Sequence, residues 1–87
     1  MQLESYATLD RQWTMLRLIP AEPQSITVAA LVDGLRDAGH KATRRTVARD
    51  LHELSPRFPI VVDDSGKTHR WSWKKKAGVD FLPRLNA

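Results

Sequence analysis

Residues 41–55 read KATRRTVARDLHELS, with three arginines between positions 44 and 49 and two acids further along. Val47, Leu51 and Leu54 recur at i, i+4 and i+7, the spacing of one apolar stripe on a helix. Thr43 stands where a capping hydroxyl belongs and Pro56 ends the run, so the spacing predicts a helix over about 44–54. At roughly 100° per residue, Arg45 and Arg49 fall opposite the stripe, stacked one turn apart, with His52 beside them. Asp50 then turns toward the protein, and Glu53 lies at the C-terminal end. Arg49 and Glu53 are also i,i+4 neighbours, so an ordinary surface ion-pair ladder is the competing account of this face.

The segment before it is a second helix. Thr27 can cap VAALVDGLRDAG, in which Val28, Leu31, Val32, Leu35 and Ala38 share a face and Gly39 supplies the left-handed stop. Gly34 sits inside that pattern at a cost of about 1 kcal/mol relative to alanine. The four residues Gly39–Ala42 make a turn, and two short helices joined by a turn containing glycine form a helix-turn-helix unit. Further upstream, TLDRQWTMLRLIP places Leu9, Trp13, Leu16 and Ile19 at helical spacing, which predicts a first helix over about 9–19. Thr8 is its expected cap, Pro20 its stop and Trp13 a core anchor. Ser25–Ile26 can form a short strand.

After Pro59 the period changes from helix to strand. A first strand is expected from Phe58 to Asp63, a tight turn through Asp64–Lys67 with Gly66 at positive φ, and a second strand from Thr68 to Lys75. Alternation puts Trp71 and Trp73 on one face and Arg70, Ser72 and Lys74 on the other. An isolated hairpin is marginal, so the tryptophans must pack onto the helices. The predicted fold class is mainly α with a small β wing (α+β): a winged helix-turn-helix of three helices followed by a β-hairpin, over residues 1–76. Residues 77–87 hold Val79, Phe81, Leu82 and Leu85 but are too few to fold alone. They are expected to be a linker or the start of a missing C-terminal domain.

At 87 residues the chain is one small domain, and 41% hydrophobic with 28% charged residues makes it globular rather than disordered. Without cysteine it has neither a disulfide framework nor a thiolate metal site, which fits a reducing compartment. No apolar run approaches the roughly 18 residues of a membrane span. The expected location is cytoplasmic, on the nucleoid if the chain binds DNA, with no membrane partner. The net charge of +4 is unevenly placed. Residues 40–57 carry +3 and 67–76 carry +5, while the intervening 58–66 carry −2. Two basic blocks suggest a polyanion footprint if folding brings them to one face, and a scattered solvated surface if it does not.

The candidate site follows from that pattern. Arg44, Arg45, Thr46 and Arg49, with His52, would enter or border the major groove, where a guanidinium makes a bidentate contact with guanine O6 and N7. Lys41 and Thr43 would hold phosphate at the start of the helix. Lys67 and Arg70 would touch the adjacent backbone, and Lys74–Lys76 read equally well as backbone contacts or as solvated lysines on an edge strand. The chain is not expected to be an enzyme or to need a cofactor. His40, His52 and His69 have no ligand-like spacing, and Ser65-Gly66-Lys67 lacks the frame of a phosphate loop. Asp63-Asp64 is accounted for by turn chemistry. The alternative function is a protein-interaction module without DNA specificity, with Phe81, Leu82 and Leu85 as its surface. RNA binding ranks below both, since no aromatic side chain falls on the reading face to stack an unpaired base.

LDRQWTMLRLIP, TRRTVARDLHELSPRFPIVVDD and HRWSWKK, in that order, together resemble the N-terminal, DeoR-like winged helix-turn-helix of WYL-domain transcriptional regulators. The likeness spans about residues 8–76. It rests on Arg11-Gln12-Trp13, Arg45–Leu51, Leu54-Ser55, Phe58-Pro59 and the Trp71-x-Trp73 strand. The resemblance implies a bacterial or phage double-stranded DNA binder, commonly a homodimer and often a repressor, in some cases of anti-phage defence loci. It implies that Thr43–Arg49 opens the recognition helix. It also implies that any effector ligand binds in a C-terminal domain absent from this chain. The family often has glycine where Arg70 stands, so the wing is expected to depart locally from the family geometry.

Overall fold

The computed structural model describes residues 3–75. Helix α1 (Leu3–Leu18) leads to a short strand β1 (Ile26–Thr27), helices α2 (Val28–Asp37) and α3 (Arg44–Leu54), and strands β2 (Ile60–Asp63) and β3 (Arg70–Trp73). Three helices and a small antiparallel sheet in this order make a winged helix-turn-helix, the α+β class that the residue periods predict.

Helix α1 differs most from expectation. It begins at Leu3, so Thr8 lies within it and does not cap it. Its buried face is Met15 and Leu16, continued by Ile19 just past the helix, while Leu9 (59% exposed) and Trp13 (42%) face outward. Trp13 is therefore not a core anchor. The helix carries two apolar stripes, and the one against the core includes Met15, fully buried, which spacing from Trp13 passes over.

The helix-turn-helix forms as its caps dictate. The Thr27 hydroxyl accepts the N–H of Ala30 at 3.1 Å, and the Thr43 hydroxyl accepts that of Thr46 at 3.2 Å. Between the helices Gly39 takes φ 92°, the left-handed geometry that lets the chain reverse cheaply. Leu31 and Leu35 of α2 meet Val47, Leu51 and Leu54 of α3 in the core, while Ala38 stays exposed. Gly34 has a packing reason: a Cβ there would lie 3.0 Å from Leu18 Cδ1, so glycine lets α2 approach the end of α1 closely.

The sheet order is β1-β3-β2, with Ile26 opposite Trp71 and Ile60 opposite Trp73. Strand β3 is thus central, not an edge. Ser72, expected outside, is buried: it is a small side chain opposite Val61 of β2. Strand β2 starts two residues later than predicted because the N–H groups of Arg57 and Phe58 still bond to Leu54 O, closing α3 with a further turn. The β2–β3 connection runs 64–69, longer than the tight turn expected, and Gly66 does not have positive φ. Asp63 makes the turn instead, its carboxylate accepting the Ser65 N–H at 3.0 Å and the Ser65 hydroxyl at 2.6 Å. Trp71 and Trp73 are buried as predicted, and the Trp73 indole donates to Leu16 O at 2.9 Å. Phe58 packs edge-on to Trp73 with ring centroids 6.1 Å apart.

Candidate nucleic-acid interface

The orientation of α3 is fixed from both sides. Val47, Leu51 and Leu54 are buried, and Asp50 beside them is 1% exposed. A carboxylate that deep needs a partner. Arg11 of α1 supplies it, with Nε and Nη2 at 2.5 and 3.1 Å from the two carboxylate oxygens, and the Gln12 amide adds a contact at 3.2 Å. The Gln12 amide also donates to Glu53 at 3.1 Å. Both acids of α3 are therefore engaged by α1, and the Arg49–Glu53 ladder does not form among the described residues. The signal for Arg11 was a charge beside an apolar stripe; its partner 39 positions away is set by the tertiary fold alone.

What remains outward on α3 is mainly basic, with exposed Glu53 at the C-terminal end. Arg44, Arg45 and Arg49 are exposed and Thr46 is half-buried. His52 is exposed and sits edge-on to Trp71, with ring centroids 6.3 Å apart. Arg45 and Arg49 emerge one turn apart with no ion-pair partner among the described residues. Such guanidiniums are available to an incoming anion without first breaking a bond. Lys41 is exposed in the preceding turn. The Thr43 hydroxyl caps Thr46 N–H and donates to Thr46 Oγ1 at 3.2 Å, so any phosphate there would compete for its proton.

The wing brings the second basic block to the first at one place. Arg44 from α3 and Lys67, Thr68 and His69 from the β2–β3 connection line one open cleft with Thr27, Val28 and Ala29 at the start of α2. The start of α2 and the side chains of Arg44, Lys67 and His69 converge there, a setting that favours a negative charge. His69 and Thr27 were not singled out for this role in the sequence, because only the fold carries the wing to α2. Arg45, Arg49 and Lys41 lie outside this cleft, as does His52, which lines a separate groove with Gln12, Glu53 and Arg57.

Arg70 pairs with Asp63 across the strands at the base of the wing. The hydroxyl of Ser65, then its N–H, hold the Asp63 carboxyl below the ordinary aspartate value, and the charge of Arg70 adds to the lowering. Arg70 is an exposed cation opposite Asp63, with no ion pair between them among the described residues. Lys74 and Lys75 are exposed, and the Lys75 N–H bonds to Glu22 Oε1 at 3.1 Å. Lys76 and the apolar side chains of the tail lie outside the described residues.

Among the described residues no helix is long and apolar enough to cross a membrane. No protein-family model, curated protein or solved structure matches the chain.

Proposed function

We propose that this chain is the double-stranded DNA-reading head of a transcriptional regulator of the kind its sequence resembles, acting as a repressor of a phage or phage-defence locus. The observation that carries this reading is the outward face of α3. Arg45 and Arg49 stand exposed one turn apart on a helix whose opposite side is buried and whose acids are engaged by α1. A helix of that shape fits the major groove, its N-terminal residues reaching deepest and its guanidiniums aimed at guanine edges. The cleft between Arg44, Lys67 and His69 would take a backbone phosphate alongside. Base contacts then supply discrimination and the wing supplies sequence-independent hold.

Selection from random duplexes at two salt concentrations tests this reading. A recovered motif rich in guanine at adjacent positions, bound more weakly at higher salt, is the expected result. Equal recovery of all duplexes, or binding indifferent to salt, would overturn it.

A second reading, a docking module, is favoured by the exposed apolar residues Tyr6, Leu9 and Trp13 on α1. They lie on a different element from the basic face, so the two roles are compatible.

A further inference from the structure

Tyr6, Leu9 and Trp13 are 53%, 59% and 42% exposed, three of the four large hydrophobic side chains left exposed among the described residues. They are spaced by three and four and so form a single stripe on α1. At roughly 100° per residue the stripe lies well round the helix from Met15 and runs along the edge of the buried face, beside Leu16. It also avoids Arg11 and Gln12, which turn toward α3. Nothing in the core or at the basic face uses it. Isolated apolar side chains on a surface are ordinary, but a contiguous stripe is the usual mark of an interaction surface.

The charges beside the stripe select its occupant. Asp10 lies three residues before Trp13 and Arg17 four after it. Both are exposed, and neither has an ion partner among the described residues. A helix with an acid on one side of an aromatic and a base on the other is complementary to itself run backwards. We propose that α1 pairs antiparallel with α1 of a second copy of this chain, about a two-fold axis passing beside Trp13. The tryptophans then meet at the centre, Leu9 packs beside the partner's indole, and Asp10 of each helix faces the base at position 17 of the other. A register centred nearer Leu9 would bring the two Asp10 carboxylates together, so charge fixes the alignment as well as the partner. This contact is isologous, so it closes at two copies.

Three side chains per copy cover much less than the roughly 800 Å² per partner of a standard interface. The dimer is accordingly weak and exchanges readily. It does not depend on the DNA reading, and its test uses no DNA.

Sedimentation velocity of the full chain, from about 10 µM to near-millimolar concentration, measures the association. The expected result is a reversible dimer. Trp13→Gln abolishes it, and Asp10→Arg or Arg17→Asp alone weakens it about tenfold by opposing like charges. The double variant carrying both reversals recovers it. Circular dichroism of each variant checks that these exposed positions leave the fold intact. A chain that stays monomeric throughout overturns the proposal. So does a dimer indifferent to Trp13→Gln, or one that the double reversal fails to restore. The tail is the other candidate occupant. If the wild type is monomeric and Phe81→Ser with Leu82→Ser newly exposes Trp13 to a fluorescence quencher, the tail covers the stripe and the two-fold pairing is wrong.

Discussion

The guanidinium of Arg11 grips the carboxylate of Asp50 through two nitrogens, tying the middle of α1 to the middle of α3. The pair is unequal in burial, with side-chain exposures of 14% for Arg11 and 1% for Asp50. That asymmetry predicts unequal costs. Arg11→Ala leaves a buried carboxylate with only the Gln12 amide and should cost about 3–5 kcal/mol. Asp50→Ala leaves an arginine that can turn toward water and should cost less, about 2–3 kcal/mol. Urea denaturation of both variants checks the order. Equal losses would overturn the asymmetry argued from burial.

On the DNA-reading hypothesis, Arg45→Ala and Arg49→Ala should each cost about 1–3 kcal/mol of affinity for the selected site and relax discrimination at one position. Lys67→Ala should weaken all duplexes alike. With about five or six phosphates neutralised, the slope of log K against log salt should be near −5. Fluorescence anisotropy titrations over a salt series measure both quantities.

The wing connection should respond to acid through Asp63. Its carboxyl is held low by the two Ser65 donors, chiefly the hydroxyl. A depressed carboxyl stabilises the folded form above the ordinary aspartate value, and that contribution is lost as pH falls through the lowered one. Carbon-detected NMR titration should therefore place Asp63 below the ordinary aspartate range. Ser65→Ala should move it back up, so that the residues around 64–69 lose their order at a higher pH than in the wild type.

Trp73 should matter through its nitrogen as well as its ring. Trp73→Phe keeps an aromatic but removes the 2.9 Å bond to Leu16 O, and should cost about 1–3 kcal/mol. Trp73→Ala should cost about 3–5 kcal/mol, measured as a lowered urea midpoint.

Helix α3 was legible to the residue. Val47, Leu51 and Leu54 set its inner face, Thr43 caps it, and Pro56 stops it one residue past the observed cap, Ser55. Local signals sufficed because cap, stripe and stop all lie within one short stretch. Helix α1 was harder: it carries apolar residues on two sides, and periodicity alone does not say which side meets the core. Trp13 draws attention by size, yet Met15 is the side chain that is buried. The wing connection misled for another reason, since Asp63 and Ser65 turn the chain without the positive φ that Gly66 advertises. The cleft was legible only in part: Arg44 and Lys67 stand out by charge, but their meeting with His69 at the start of α2 joins segments far apart in the chain.

Thr27 belongs both to β1, where it pairs with Arg70, and to the cap of α2. The strand that completes the wing is therefore stitched to the start of the helix-turn-helix, and Ile26 meets Trp71 only after a long loop closes. Closing such a loop is entropically costly before its contacts form, and non-local pairing slows folding. The domain should consequently fold in one cooperative, comparatively slow step rather than as helices that later acquire a hairpin. A fragment ending at residue 57 would lack both the partner strand of Ile26 and the indole donor for Leu16.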